Sequence, residues 1–256
     1  MISLSILLLA VGTESSVVIT EIMYDPASPE QSGEAEWVEI ANLSSSRVTM
    51  KGWRLDDEDG VDWGTFDESL DPGQVAVLIN GDATSADEFR NAWTDDPDAE
   101  PDFLIIPVSW GSLANTPNAD NEVLTLLDED GSVVAKANYQ IGNGWPPRSK
   151  NGSSIYMPSP SRASMNVGTA WARSKAGIHG ARACKPGGVF AKPDIGSPGT
   201  ITKTAAPAAP ATPPSPSPSP PAPSPEAPAP APTPPTPPTP PKTPDPPPAD
   251  DDDIPY

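Results

Sequence analysis

The sequence has almost none of the residues on which most catalytic and metal centres depend. It contains one cysteine, Cys184, and one histidine, His179. A lone cysteine cannot form an internal disulfide, so we expect packing to hold the fold and the thiol to be buried or inert. A zinc centre needs three or four His, Cys or carboxylate ligands, and a Ser-His-Asp triad would depend on His179 in a glycine-rich stretch. These absences predict a protein that is not an enzyme.

Motifs that mark common active sites are also missing. No G-x-S-x-G nucleophile turn occurs anywhere in the chain. The glycines at 142 and 144 have neither the third glycine nor the following helix of a phosphate-binding loop. Carboxylates are so abundant that their presence carries no information about glycoside hydrolysis.

Positive charge is scarce. The chain has 15 Lys and Arg against 35 Asp and Glu, which gives a formal net charge of −20. Such a surface repels nucleic acid and anionic lipid and attracts cations or basic partners. We therefore predict no nucleic-acid partner, and the residues leave open whether the partner is a protein or a glycan.

Long apolar runs are scarce as well. The longest apolar stretch, residues 2–11, is interrupted by Ser3 and Ser5. It is too short to span a bilayer, so the sequence predicts no integral membrane segment. The small residues at 10–12 suit a signal peptidase, although no Lys or Arg precedes the run and a wrongly assigned start would give the same pattern. Residues 1–15 are thus a candidate signal peptide, which predicts an extracellular or cell-surface location.

What the sequence does contain is β-strand pattern. Residues 17–24, 36–42 and 48–55 predict three strands, each closed by turn residues. In the second strand Trp37, Glu39 and Ala41 alternate with Val38 and Ile40. We expect the tryptophans at 37 and 53 to form half of a sandwich core that a second sheet covers.

The remaining elements follow from the same reasoning. Ser85 and Glu88 form a capping box before a short helix, which we expect to pack across one end of the sandwich. Pro107 makes its strand an edge or irregular one. The predicted elements are a central strand at 74–80, a helix at 84–93, an edge strand at 103–108, a hairpin at 122–127 and 132–139, a last short strand at 153–157, and an ordered but irregular segment at 158–199, here called the strap.

Several motifs occur in the order of a known family. They are I-x-E-I-M-Y-x-P at 19–26, E-W-V-E-I at 36–40, G-W-x-L at 52–55, L-x-P-G at 70–73, E-V-L-T-L-L-D-x-D-G at 122–131, G-W-P at 144–146 and G-S-P-G at 196–199. Together they resemble the lamin tail domain of nuclear lamins and secreted bacterial proteins. The resemblance covers about residues 17–200. It implies an all-β, immunoglobulin-like β-sandwich and a binding-module role, and it supplies no catalytic residues.

Oxygen ligands for calcium cluster in one turn. The candidate ligands are Asp57, Asp59 and Asp62. The run nearly fits a D-x-D-x-D-G loop, with Asp57, Asp59 and Gly60 in place, although Leu55 occupies the first ligand position. A second acidic group comprises Asp25, Glu34 and Glu36. The residues leave open whether the first turn binds calcium with low affinity or is a solvated acidic turn that aids solubility. No other cofactor is predicted.

Two glutamates and the tryptophans are the remaining candidate binding residues. Glu21 and Glu39 lie inside predicted strands, and we expect them to point outward or to accept hydrogen bonds from a neighbouring turn, because burying a bare carboxylate is costly. Most tryptophans are expected in the core. A carbohydrate platform would require several of them exposed side by side, out of the set Trp37, Trp53, Trp63, Trp110, Trp145 and Trp171.

Proline dominates the end of the chain. Of the 38 prolines, 24 fall after Ala206, among Ala, Ser and Thr, and the sequence ends in an Asp-rich heptad. Such a segment lacks the apolar bulk for a core and favours polyproline II. We therefore predict one β-sandwich domain at 16–200 and a disordered proline-rich tail at 201–256.

The interpretation that these features favour is a secreted, non-catalytic interaction or adhesion module on a proline-rich stalk. Two alternatives remain open. One is a structural spacer of an envelope or matrix, in which the domain is only a stable plug. The other is an accessory domain associated with a secreted hydrolase, which the resemblance suggests and the residues themselves do not show.

Overall fold

In a computed structural model, the described residues are 17–29, 31–57, 64–96, 98–99, 101–115, 122–139, 142–149 and 151–201. The chain divides into two compact units, 1–212 and 213–256, and all of the described residues lie in the first. The elements are β1 (Val17–Met23), β2 (Trp37–Asn42), β3 (Val48–Asp56), β4 (Thr65–Leu70), β5 (Val75–Asn80), α1 (Ala86–Trp93), β6 (Leu104–Val108), β7 (Glu122–Leu127), β8 (Val133–Tyr139), β9 (Ile155–Tyr156), β10 (Ala172–Arg173), β11 (Arg182–Ala183) and β12 (Ile195–Gly196).

Two sheets form the immunoglobulin-like sandwich. One has six strands in the order β10-β9-β1-β2-β5-β6, and the other has four in the order β4-β3-β7-β8. Their inner faces share a core that includes Val38 and Ile40 of β2, Trp53 of β3 and Leu124 of β7. The prediction of an all-β sandwich with one short helix is confirmed.

The six-stranded sheet is covered on both of its faces. Every residue of β1, β2 and β5 is buried, including those that point away from the sandwich core. The alternation predicted for β2 holds, since Val38 and Ile40 enter the inner core while Trp37 and Ala41 enter a second, outer core. The expectation that Trp37 and Trp53 share one core is therefore wrong, because the two rings lie on opposite sides of the sheet.

Helix α1 forms part of the outer layer. Its capping box is confirmed, with Ser85 as N-cap accepting from the Glu88 N–H and the Glu88 side chain accepting from the Ser85 N–H. Phe89 and Trp93 pack on Trp37, so the helix lies against the outer face of the six-stranded sheet. The expectation that it packs across one end of the sandwich is wrong, because β2 presents an apolar stripe on the outer face that needs a cover.

Most strand predictions are confirmed. β5 is central and antiparallel to β2, and β7 and β8 form the predicted hairpin. β6 lies at the edge of its sheet, as Pro107 predicts, and it runs parallel to β5. The strand at 153–157 is shorter than predicted and is not the last, since β10, β11 and β12 follow in the strap.

The strap is ordered and mostly irregular, as predicted. It contains two short 3-10 turns, Arg162–Ser164 and Gly168–Ala170, and two-residue strands. Phe190 and Cys184 of the strap complete the outer core with α1. The candidate signal peptide at 1–15 and the tail from residue 202 onward lie outside the described residues, so the predicted domain limits stay predictions.

Candidate functional site

The predicted calcium turn is only partly described. Asp57 follows β3 and has 7% of its surface exposed. Asp59 and Asp62 lie outside the described residues. In the part of the chain that the structure describes, no three carboxylate, histidine or cysteine side chains are grouped so that they could hold a metal ion. The calcium hypothesis stays a prediction.

The second acidic group does not converge on one point. Asp25 forms a two-bond ion pair with Arg148, at 2.8 and 2.7 Å. Glu34 accepts two backbone N–H bonds from the turn that precedes it. Glu36 Oε2 accepts the Leu113 N–H at 2.6 Å. Each of these carboxylates thus has a separate structural role.

The described tryptophans form no exposed platform. Each has at most 7% of its surface exposed, and the set is Trp37, Trp53, Trp93, Trp110, Trp145 and Trp171. Trp145 and Trp171 pack together with ring centroids 5.3 Å apart, inside the inner core. Core packing is therefore confirmed for this set, and Trp63 lies outside the described residues.

Cys184 and His179 contact different partners. Cys184 is 2% exposed, and its thiol donates to the Lys192 carbonyl at 3.2 Å. Burial, together with the charge of Asp194, raises the pKa of the thiol to about 12. The prediction of a buried cysteine is confirmed. His179 is exposed in a turn, has a positive φ of 49°, and its ring lies against Tyr156.

Cations of the strap bind backbone carbonyls at the C-terminal end of α1. The guanidinium of Arg182 donates to the Trp93 carbonyl, and Lys185 Nζ donates to the Thr94 carbonyl at 2.7 Å. The last carbonyls of a helix lack intrahelical donors and carry partial negative charge, so cations stabilise them. These cations thus fasten the strap to the helix.

The most unusual polar group in the described residues is a pair of buried carboxylates. Glu21 and Glu39 are directly opposite each other on β1 and β2, and each is 1% exposed. A β-bulge between Ile19 and Glu21 shifts the register and brings Thr20 within 2.6 Å of Glu39 Oε1. The expectation that these glutamates point outward is wrong, whereas the alternative, that they accept hydrogen bonds, is confirmed.

The donors to Glu21 come mainly from the strap. Ser197 donates its N–H to Oε1 at 2.8 Å and its hydroxyl to Oε2 at 2.6 Å. The hydroxyls of Ser154 and Ser174 also donate to Oε1, the second of them at 3.3 Å. Glu39 Oε2 accepts the Gly199 N–H at 2.7 Å. The last part of the strap, residues 195–199 and here called the strap end, therefore bridges both carboxyl groups.

Two glycines allow the strap end to approach the sheet. A Cβ on Gly196 would lie 2.7 Å from the Trp37 ring, and a Cβ on Gly199 would collide with the Phe103 ring. Gly199 also has a φ of +83°, which favours glycine. The G-S-P-G sequence thus fits this position because its glycines permit close contact and its serine binds Glu21. The sequence motif gave a signal for this segment, but nothing in the pattern linked it to the glutamates.

Burial dominates the electrostatics of the pair. It raises the pKa of Glu21, and the surrounding hydroxyl and N–H donors oppose that effect only in part. Burial raises the pKa of Glu39 well above its usual range, and the charge of Glu21 adds to the rise. The donors that the structure describes at the two carboxyl groups are all neutral. The two carboxyl groups are hydrogen-bonded and almost completely buried.

Comparison with known proteins relates the chain to a family. The family model of the lamin tail domain matches residues 11–140, which are 130 of the 256 residues. No curated protein matches the chain. The matched region contains Glu21 and Glu39, whereas Ser154, Ser174 and Ser197 lie beyond it. Because the match covers half of the chain and the fold is the expected immunoglobulin-like sandwich, this chain belongs to the lamin tail domain family.

Proposed function

We propose that this chain is a non-catalytic interaction module that binds a basic protein partner outside the cell. The observation that carries the proposal is membership of the lamin tail domain family, which is an immunoglobulin-like, non-enzymatic domain family. The formal charge of −20 favours a basic partner, since opposite charge increases the rate of encounter and like charge excludes wrong partners.

The environment of the reactive side chains supports a role without catalysis. Ser154, Ser174 and Ser197 are buried at 0–1% exposure around Glu21, where a substrate has no access. Cys184 is protonated and buried, and a thiol without thiolate character is a poor nucleophile.

The sheet edges favour binding through loops. β4 carries the exposed acidic residues Asp67 and Glu68, and β6 carries the exposed Pro107. The edge of β8 is covered by strap residues, of which Arg162 donates to the Val134 carbonyl at 2.7 Å. Charges, prolines and covering segments are the devices that keep an edge strand from pairing with another chain. We therefore place the partner at exposed loops rather than along an added strand.

The loop after α1 is our choice for the binding surface. Asp95, Asp98 and Asp102 are exposed there, close to one another along the chain. Their charges would complement a basic partner, and binding of this kind weakens as salt screens the charges. The turn between β7 and β8 offers a matched acidic control in Glu129 and Asp130, which are also exposed.

The tail would serve as the stalk of this module. A proline-rich segment extends by about 3.1 Å per residue, so some 50 residues reach on the order of 150 Å. A second candidate function is that of a spacer in an envelope or matrix, which the concentration of 24 of the 38 prolines after Ala206 favours. In that case the function would depend on the stalk and not on the exposed loops.

A pull-down from extracellular extract separates these functions. The baits are the intact chain, the chain without residues 202–256, the Asp95→Asn/Asp98→Asn variant and the Glu129→Gln/Asp130→Asn control. We expect the same protein to be captured by the intact, tail-less and control baits, and to be lost with the Asp95→Asn/Asp98→Asn bait and at high salt. Capture that requires the tail would support the spacer function. Capture that is indifferent to the loop charges would contradict the proposed surface.

A further inference from the structure

The pair of buried carboxyl groups connects the body of the sandwich to the strap. Glu21 and Glu39 belong to the first two strands, whereas Ser197 and Gly199, which bind them, belong to the strap end. No hydrogen bond or ion pair of either glutamate involves a cation among the described residues. A pair of carboxyl groups in such a place is stable only if it carries at most one negative charge.

We propose that a proton held by Glu39, opposite an ionised Glu21, keeps the strap closed on the sheet, and that loss of this proton releases the strap end. The strap end comprises residues 195–199. The device is a pH-sensitive latch, and it is independent of which partner the module binds.

The hydrogen bonds decide which carboxyl group carries the charge. Glu21 accepts three bonds, from the hydroxyls of Ser154 and Ser197 and from the Ser197 N–H, and the Ser174 hydroxyl shares its one proton between Glu21 Oε1 at 3.3 Å and the Ser154 hydroxyl at 2.7 Å. Glu39 Oε2 accepts one bond, from the Gly199 N–H, and Oε1 lies 2.6 Å from the Thr20 hydroxyl, which can accept a proton from Oε1 and donate its own to the Glu39 carbonyl. A carboxylate that accepts more donors is better stabilised in its charged form. Glu21 is therefore the ionised member and Glu39 the protonated one.

The neighbouring charges reinforce this state. Burial, together with the charge of Glu21, raises the pKa of Tyr156 on β9, so the phenol stays neutral. The flanking cations bind elsewhere: Arg173 donates to the Ser153 carbonyl and Arg182 to the Trp93 carbonyl. The titratable and charged groups on the elements that pack around the pair are Tyr156, His179, Arg173, Arg182, Cys184, Asp194, and on α1 Asp87, Glu88 and Arg90.

The pH dependence follows from the direction of these shifts. Glu39 has a higher pKa in the folded chain than the usual carboxyl value of 4.5. The stabilising contribution of its proton is fully present below the usual carboxyl pKa and is lost as the pH rises through the folded pKa. The strap is therefore held most firmly in mild acid and loosens toward alkaline pH.

Release would expose apolar surface. Gly196 lies against the Trp37 ring and Gly199 against the Phe103 ring, so the strap end covers part of the outer core. Like charges directly opposite on neighbouring strands repel each other, and a second ionisation would add this repulsion under the strap. Because the strap end covers both buried carboxyl groups, its release would let water reach them and relieve this repulsion.

Hydrogen exchange of the intact chain at about pH 5, 7 and 9, corrected for the intrinsic rate of exchange, tests the latch. Uptake in peptides from the strap end is compared with uptake in β5, in wild type, in Glu39→Gln and in the matched Glu68→Gln variant, whose side chain is exposed on β4. In wild type and Glu68→Gln we expect strap-end uptake to rise with pH, by about tenfold for each pH unit by which the pKa of Glu39 is raised in the closed state. Glutamine cannot ionise, so we expect uptake in Glu39→Gln to be independent of pH.

Three results would overturn the latch. They are a rise that persists in Glu39→Gln, no rise in wild type, and an equal rise in β5, which would indicate global unfolding. Because Glu39→Gln replaces one acceptor, its basal exchange shifts, and only the dependence on pH is decisive. If that variant does not fold, carbon NMR of the glutamate carboxyls in the wild-type chain decides the matter. An ordinary carboxyl pKa at Glu39 would contradict the proposal, and a raised one would support it.

Discussion

Ser197 spans both oxygens of Glu21, with its backbone N–H 2.8 Å from Oε1 and its hydroxyl 2.6 Å from Oε2. The two residues are 176 positions apart in the sequence. One residue near the end of the described chain thus fixes the first strand. Both partners are buried, so loss of either would leave unsatisfied polar atoms away from water.

Replacement of this serine should destabilise the domain. Ser197→Ala removes the hydroxyl bond to the carboxylate and leaves Oε2 without that donor. Hydrogen bonds to charged groups contribute about 1.5–3 kcal/mol, so we expect a loss of this size in the free energy of unfolding. Urea denaturation followed by tryptophan fluorescence measures it. Ser161→Ala, whose hydroxyl meets only Ser164, should change stability by less than about 0.5 kcal/mol. An equal effect in the two variants would contradict the role of Ser197.

Gly199 offers a test of the close approach of the strap. Gly199→Ala places a methyl group on the Phe103 ring and strains a backbone with a φ of +83°. Gly177→Ala is the matched control, because its φ is +84° and no atom lies within 4 Å of the added Cβ. Backbone strain alone costs about 1–2 kcal/mol, and overpacking adds about 1–3 kcal/mol. We expect Gly199→Ala to be the more destabilising by the overpacking cost. Equal losses in free energy of unfolding would show that the strap does not press on Phe103.

Local signals in the sequence were sufficient for most single elements. The capping box of Ser85 and Glu88 lies within four residues, and Pro107 excludes a central position by its missing N–H. Strand alternation correctly divided β2 into two faces. It could not tell which layer covers each face, because a period of two identifies sides and not neighbours. For this reason the sequence predicts the wrong position for α1 and the wrong core for Trp37.

The carboxyl pair was beyond the reach of sequence patterns. Glu21 reads as an isolated polar residue in a strand, and its donor Ser154 is 133 positions away. The bulge beside Thr20 has no sequence signature that distinguishes it from a regular strand. Strands of two residues, such as β11 and β12, are too short to show periodicity. Only the G-S-P-G motif pointed to this segment, and it did so by resemblance.

Calcium binding remains testable at the acidic turn after β3. If Asp57, Asp59 and Asp62 share an ion, calorimetry of the intact chain should give heat at millimolar calcium, as expected of a site with an incomplete ligand set. The Tm should then rise with calcium concentration, because a ligand that binds only the folded state stabilises it. Asp59→Asn should remove both effects, whereas Asp130→Asn on the other acidic turn should not. No heat and no change in Tm would end the hypothesis.

The labelling rate of Cys184 measures whether the strap opens. Its thiol is buried in the outer core, and its pKa of about 12 leaves almost no thiolate near pH 8. A disulfide reagent should therefore label the native chain far more slowly than the chain in urea. Gly199→Ala should accelerate labelling if the clash with Phe103 loosens the strap, and Gly177→Ala should accelerate it less. Labelling of the native wild type at the rate of the unfolded chain would contradict the buried position. If labelling depended on global unfolding alone, two variants with the same free energy of unfolding in urea would be labelled at equal rates. That result would show that the strap does not open independently of the sandwich.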